Sequence, residues 1–475
     1  MKIYPFCGPD SSWRAVALVG AAALFGASPA WAAGATDIQV WYSLNPHNNQ
    51  VFQTLVKQFN GSQADVHVSL KAFDTPEQVE AALVAGVKTK NTPNLVQLND
   101  DHAPDELINR SYILPLHTML AKYPIKDAKW FVSSDHAAMR DAKGRLLAFP
   151  YMTDVPVMYY NIDAFKKAHI EPAIPARTWI GLQDQLVKLA NASSRKCPYT
   201  TDIPVSINLE NLAAVNNQFY TTDDNGLKAK SAPSFPMDLM YVRHLSMMIS
   251  WARTELLVKP EFEAQSTQRF ANRECAVLMS GSGNLGWFNS TRSLSFGVAA
   301  LPYYQEATAQ PGSPFVGGAA FWALDKQSQT QEKATAAFLG WLAQPKNAAT
   351  WYQSTGFLPL TQQAFAQTDS AYYKNLGNWQ ALVADYARKP SATDRGFHVA
   401  NYPKVKAMFR ERLNTALNGQ DPAVSALRTA SAEANSIMRP GSSFAQGPAA
   451  KSASTRHTSK SKSHKTVKKS VAEKK

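Results

Sequence analysis

A two-lobed α/β fold with a cleft between the lobes is the architecture this 475-residue sequence predicts. Three observations lead there. Apolar residues alternate and then recur at helical spacing, twice over residues 37–98, which is a β-α-β-α-β start. The same logic returns after the composition changes near Phe149, Pro150 and Tyr151. About 440 residues remain once an export leader is set aside, enough for two or three domains of roughly 150 residues.

Residues 1–32 read as a signal peptide. Lys2 and Arg14 supply positive charge, residues 16–25 form a short apolar run, and Ala30-Trp31-Ala32 has the small-x-small pattern of a cleavage site. That run is shorter than the roughly 20 apolar residues of a spanning helix, and nothing comparable follows. Cys7 precedes the run instead of sitting at the cleavage point, so the mature chain is expected free in the periplasm.

In the body, residues 37–43 alternate as a strand, and Val51, Phe52, Leu55, Val56 and Phe59 share one helical face. Val66, Val68 and Leu70 alternate again. Thr75-Pro76-Glu77-Gln78 has the form of a capping box with Pro at the first helical position. Residues 94–98 make a third strand, so a parallel, doubly wound sheet is expected. Ligands of such sheets sit beyond the carboxyl ends of the strands. Those ends are polar: residues 43–45, Asp74 and residues 99–101. Further strands are read at 155–160, 275–279, 296–301 and 319–324. Thr178 caps a helix opening at Trp179, and amphipathic helices follow at about 332–342 and 403–417.

The formal net charge of +13 points first to nucleic acid, yet its distribution points away. Residues 451–475 hold nine Lys or Arg against Glu473, and the body between leader and tail carries only +4. The tail, residues 441–475, is Ser, Ala, Lys and Thr with too little apolar surface to offset its ordering entropy, so disorder is expected. It is either a solvated extension or a basic arm for anionic lipid or wall polymer. Cys197 and Cys275, the cysteines left after processing, are either one disulfide or two buried thiols.

HExxH, GxSxG, a P-loop and cysteine-histidine spacings for zinc are all absent, so neither metal nor cofactor is expected. Gly281-Ser282-Gly283-Asn284-Leu285-Gly286 matches GxGxxG literally, but no acidic residue follows about 20 positions on. The turn does offer backbone N–H groups to an oxygen-rich ligand. Tyr42, Trp179 and Phe357 stand at loop junctions beside polar groups. Ring faces there suit the carbon skeleton of a polyol or sugar.

Tyr159-Tyr160-Asn161 with Asp163 to Ala168, then Pro175 and Thr178-Trp179, resembles the inter-lobe region of family 1 extracellular solute-binding proteins. The likeness continues through Leu209-Glu210-Asn211, Cys275-Ala276, Gly317-Gly318-Ala319-Ala320-Phe321-Trp322, Leu342-Ala343-Gln344-Pro345 and Thr355-Gly356-Phe357-Leu358-Pro359. It runs in order over residues 37–422 and is strongest for the glycerol-3-phosphate-binding proteins of ABC importers. What the resemblance implies is a class II periplasmic binding protein fold that closes over a small polar ligand. The implied partners are an ABC permease and its cytoplasmic ATPase, the protein itself being a monomer that takes no nucleic acid. Lobe I is expected at 33–152 with 313–360, lobe II at 153–312 with 361–440, and a hinge at 152–156.

In the glycerol-3-phosphate-binding proteins two tyrosines, a glutamate, two serines, a tryptophan, a glycine and an arginine hold the ligand. Trp179 and Gly318 keep their types, Asp100 stands at the glutamate, and Phe357 keeps a tyrosine's ring. Pro76 replaces the other tyrosine. Asp154 and Gly281 align with the serines, with Thr153 and Ser282 beside them, and His398 takes the place of the arginine. Losing that arginine removes a bidentate phosphate fork, which Arg395, three residues away, would have to replace. The expected roles follow from the resemblance. Asp100 and Asp154 accept from hydroxyls, Trp179 and Phe357 pack on carbon, the Ser282 and Gly318 backbones donate to oxygen, and His398 or Arg395 meets negative charge. Glycerol 3-phosphate or a glycerophosphodiester leads as ligand, an uncharged sugar follows, and a secreted hydrolase using Asp100 and Asp154 is the rival class.

Overall fold

The computed structural model describes residues 34–99, 107, 109–192, 196–229, 231–259 and 263–439. The leader, Asp100 and the basic tail lie outside the described residues. Ten strands are described, β1 Thr36–Tyr42, β2 Val66–Ala72, β3 Leu95–Asn99, β4 Ile113–Leu114, β5 Phe149–Asp154, β6 Pro156–Asn161, β7 Cys197–Thr201, β8 Cys275–Gly281, β9 Phe296–Ala299 and β10 Gly317–Leu324. Helices α1 Pro46–Ser62 and α2 Pro76–Thr89 stand between the first three strands, as their periodicity predicts. Each has the cap its sequence provides: Asn45 accepts from the Asn48 N–H at 2.8 Å, and Thr75 from the Gln78 N–H at 3.3 Å.

Two sheets result. The first has the order β2-β1-β3-β10-β4, with β5 paired to β10; the second has the order β7-β8-β6-β9. β1 is parallel to β2 and β3, but β10 runs antiparallel to β3, β4 and β5. The expectation of a parallel sheet therefore holds only for its first three strands. The reason is topological: β10 comes back from the second sheet and enters at the end where β3 and β5 finish, so it must run against them. In the second sheet β6 is antiparallel to β8 and β9, and only β7 with β8 is parallel.

Each sheet carries its own core. Phe52, Leu55 and Phe59 of α1 pack with Phe338 and Leu339 of the helix Gln329–Leu342 on the first. On the second, Leu182 and Leu186 of the helix Trp179–Asn191 join Leu245 and Met248 of Leu239–Arg253 and Phe409 of Tyr402–Leu417. A third cluster, with Val155, Tyr159, Leu285, Phe288 and Leu358, fills the junction between the sheets. Cys197 and Cys275 are register partners on β7 and β8 and form a disulfide, which decides between the two readings of those thiols.

Candidate functional site

A cleft of about 1150 Å³ opens between the two sheets. One wall is the start of α2 and the end of β3, with Asp74, Glu77, Glu80, Asn99 and Arg110. Facing it are Asp202 after β7 and one side of the helix Tyr402–Leu417, including Lys404, Lys406 and Arg410. The first wall is acidic, since its Arg110 is tied to Glu80 at 2.6 Å. The second carries most of the positive charge. Such a cleft, at the carboxyl ends of β2, β3 and β7, is where an α/β sheet offers its loops to a ligand.

Strand register places the passages between the sheets beside this cleft. Ala319 stands opposite Asn99, Gly317 opposite Asp154, Pro156 opposite Gly281, and Thr201 opposite Met279. A continuous line thus runs from Asn99 on one wall to Asp202 on the other, through Gly318, Asp154 and Gly281. Asp154 ties the two sheets together there. Its Oδ1 accepts from Ser282 Oγ at 2.8 Å, from the Gly283 N–H at 3.2 Å and from its neighbour's amide on Val155 at 2.7 Å. Burial pushes its carboxyl above the usual range, against the pull of those hydrogen bonds. A Cβ on Gly281 would lie 2.2 Å from Asp154 Oδ2, so the glycine leaves the room that the Asp154 carboxylate occupies. Gly318 has φ +98°, a conformation natural to glycine alone.

Six of the expected site residues meet where the strands pass between the sheets, beside the cleft but not in its lining: Thr153, Asp154, Gly281, Ser282, Gly318 and Phe357. The Thr153 carbonyl accepts from the Leu358 N–H at 2.8 Å, and the Phe357 ring stacks on Trp351 while filling the space over Gly283. Asp74 is exposed on the acidic wall. The remaining expectations need correction. Tyr42 is fully buried under Phe52, its hydroxyl bonded to Asn49, because its side of β1 faces α1. Trp179 is 1% exposed and belongs to the core of the second lobe, packed on His244, Trp251 and Tyr304.

The glycine-rich turn is likewise no open anion cradle. The Ser282 N–H donates to the Val155 carbonyl at 2.8 Å and the Gly283 N–H to Asp154, so the chain's own carboxylate occupies the nest. Arg395 donates to Asp224 at 2.7 Å and does not line the cleft; neither does His398. Lys404, Lys406 and Arg410 were not singled out by sequence reasoning. Their helix shows a clear apolar stripe at Val405, Phe409 and Leu413, and its polar side reads as ordinary solvated surface until the opposite lobe is in view.

The family described as bacterial extracellular solute-binding protein matches residues 54–430. The sn-glycerol-3-phosphate-binding periplasmic proteins UgpB of Shigella dysenteriae and Escherichia coli are each 30% identical over 413 residues, 85% of this chain and 93% of theirs. Among solved structures, UgpB of Mycobacterium tuberculosis in complex with glycerophosphocholine superposes with a TM-score of 0.66 at 18% identity, covering 85% of this chain and 99% of that one. Maltose-bound T. maritima MalE3 does so with a TM-score of 0.68 at 18% identity, covering 84% and 99%. The last two share the fold.

Proposed function

The chain belongs to the bacterial extracellular solute-binding proteins, and from that premise we propose that it captures glycerol 3-phosphate or a glycerophosphodiester in the periplasm for an ABC importer. It is a binder and not an enzyme, which removes the hydrolase alternative. The supporting observation is the cleft itself, walled by both lobes and cationic on the side of the helix Tyr402–Leu417, in a chain 30% identical to glycerol-3-phosphate-binding proteins. The ligand enters between the sheets, bridges acidic and basic walls, and shifts an open and closed population by its greater affinity for the closed form. A permease with its cytoplasmic ATPase then takes the load.

Titration calorimetry against glycerol 3-phosphate, glycerophosphocholine, glycerol and maltose tests this. Saturable heat with either phosphate compound, together with a raised melting temperature, is expected. Binding of maltose alone would replace the ligand class while leaving the importer role intact. One observation favours that second reading, an uncharged sugar: Arg395, expected to stand in for the missing phosphate fork, is already bound to Asp224.

A further inference from the structure

Behind the cationic wall of the cleft lies a carboxylate that solvent hardly reaches. Glu210 ends the short helical turn Ser206–Glu210, and its side chain is 3% exposed. Its Oε1 accepts from the Tyr402 hydroxyl at 2.7 Å, and that hydroxyl is 3.1 Å from the hydroxyl of Tyr220. The same oxygen is 3.6 Å from Nζ of Lys406, whose side chain is 30% exposed and lines the cleft. A buried carboxylate is costly unless a counter-charge accompanies it. At this distance the contact is a pairing of charges more than a close hydrogen bond. Glu210 therefore fixes where on the wall the lysine charge sits, and Tyr402 and Tyr220 fix Glu210.

Lys404 and Arg410 share this wall with Lys406, whereas two other cations are committed elsewhere. Arg110 pairs with Glu80 across 2.6 Å, and Arg395 with Asp224 across 2.7 Å. Amides at the glycine turn are spent on Asp154 and Val155.

We infer that Lys406, positioned by the buried Glu210, is the side chain that meets the anionic oxygen of the captured ligand and so sets the preference for an anion over a neutral polyol. This rests on the reading of the cleft as the ligand site. Glu210 is a positioning residue that never touches the ligand. Its negative charge tempers the lysine, so that an anion is held and can still be released to a permease. Neutralising each partner should then move anion affinity in opposite directions, which a purely structural ion pair would not do.

The test uses the full chain with the substitutions K406Q, E210Q and, as control, K57Q on the exposed side of α1. Calorimetry is run with glycerol 3-phosphate, glycerophosphocholine and maltose. K406Q should weaken both phosphate compounds by about tenfold or more and leave maltose within about twofold. E210Q should tighten the phosphate compounds, and K57Q should change nothing. Should E210Q fail to fold, K406Q still decides: phosphate-compound affinity equal to wild type overturns the assignment. Wild type binding maltose alone overturns it too, with the importer role standing. When no panel compound binds, the glycerophosphate reading fails, and inorganic phosphate followed by tryptophan fluorescence judges Lys406. Identical phosphate titrations of wild type and K406Q would then overturn it.

Discussion

His244 and His136 carry ionisable groups into places that water hardly reaches, Asp154 is half-buried, and each has a consequence that can be measured. His244 is bonded at both ring nitrogens, to Tyr304 Oη at 3.0 Å and Asn208 Oδ1 at 2.9 Å, and burial lowers its pKa to about 3. Burial brings His136 to about 4. Both bind fewer protons folded than unfolded, so the stability they permit is present above the unfolded value of 6.5 and is lost as pH falls below it. Each histidine should cost about 1.4 kcal/mol per pH unit between pH 6.5 and 4. Asp154 acts in the opposite sense, its raised pKa favouring the folded state as pH falls through that value. Urea midpoints at pH 7, 6 and 5 should therefore fall, and H244Q should flatten the slope. A flat wild-type profile would contradict the burial of these rings.

At the same scale, D154A strips the acceptor from Ser282 Oγ and the Gly283 N–H, and should cost about 1–3 kcal/mol. D154N keeps one acceptor oxygen and drops the desolvated charge, so it should cost less. The order of their melting temperatures is the check. Individual residues were the least legible part of the sequence. Tyr42 and Trp179 have the right chemistry for a ligand face, but whether a ring turns to core or cleft depends on which side of the strand or helix the neighbouring layer covers. Residue type carries no record of that. Asp154 was expected to accept from a ligand's hydroxyls, and the structure places its Oδ1 on Ser282 Oγ and the Gly283 N–H, across from one sheet to the other.

Elements were far more legible, because their signals are local. Caps at Thr75 and Thr178 and the stripes of α1 and Tyr402–Leu417 sit where periodicity and side-chain chemistry place them, while α1 opens at Pro46 behind its cap Asn45, ahead of the stripe that marks it. β4, β5 and β7 escaped, the first being two residues long and the others short runs broken by Pro150 and Pro198. Neither was the cysteine pairing readable, since 78 residues separate Cys197 from Cys275 and only strand order brings them together. That bridge closes a long loop in the unfolded chain. The C197A/C275A double variant should lose about 4 kcal/mol, read from its denaturant midpoint against wild type and unchanged by reducing agent. The short helix Leu285–Ser290 is similarly exacting. A Cβ on Gly286 would lie 1.8 Å from the Ser354 carbonyl oxygen, so G286A should push this helix off its neighbour Pro345–Thr355 and lower the melting temperature.

For the whole molecule, the two-lobe plan followed from repeated βα logic and chain length, whereas the sheet orders did not. β10 sits between β3 and β4 only because the chain leaves the first sheet after β5, builds the second, and comes back. The cationic wall was hidden for the same reason: Tyr402–Leu417 becomes a cleft wall only when a segment more than 300 residues earlier, around Glu77, stands across from it. Closure should draw these oppositely charged walls together. The scattering radius of gyration should shrink on ligand addition, and raising salt should weaken the effect for a phosphate compound more than for maltose.

Three passages stitch the lobes into one another: between β5 and β6, between β9 and β10, and after the helix Pro345–Thr355 on the way to Tyr402–Leu417. No contiguous gene fragment therefore encodes either half. A protease nick in a surface loop leaves both pieces entangled, and neither lobe can be exchanged or duplicated as one uninterrupted stretch of chain.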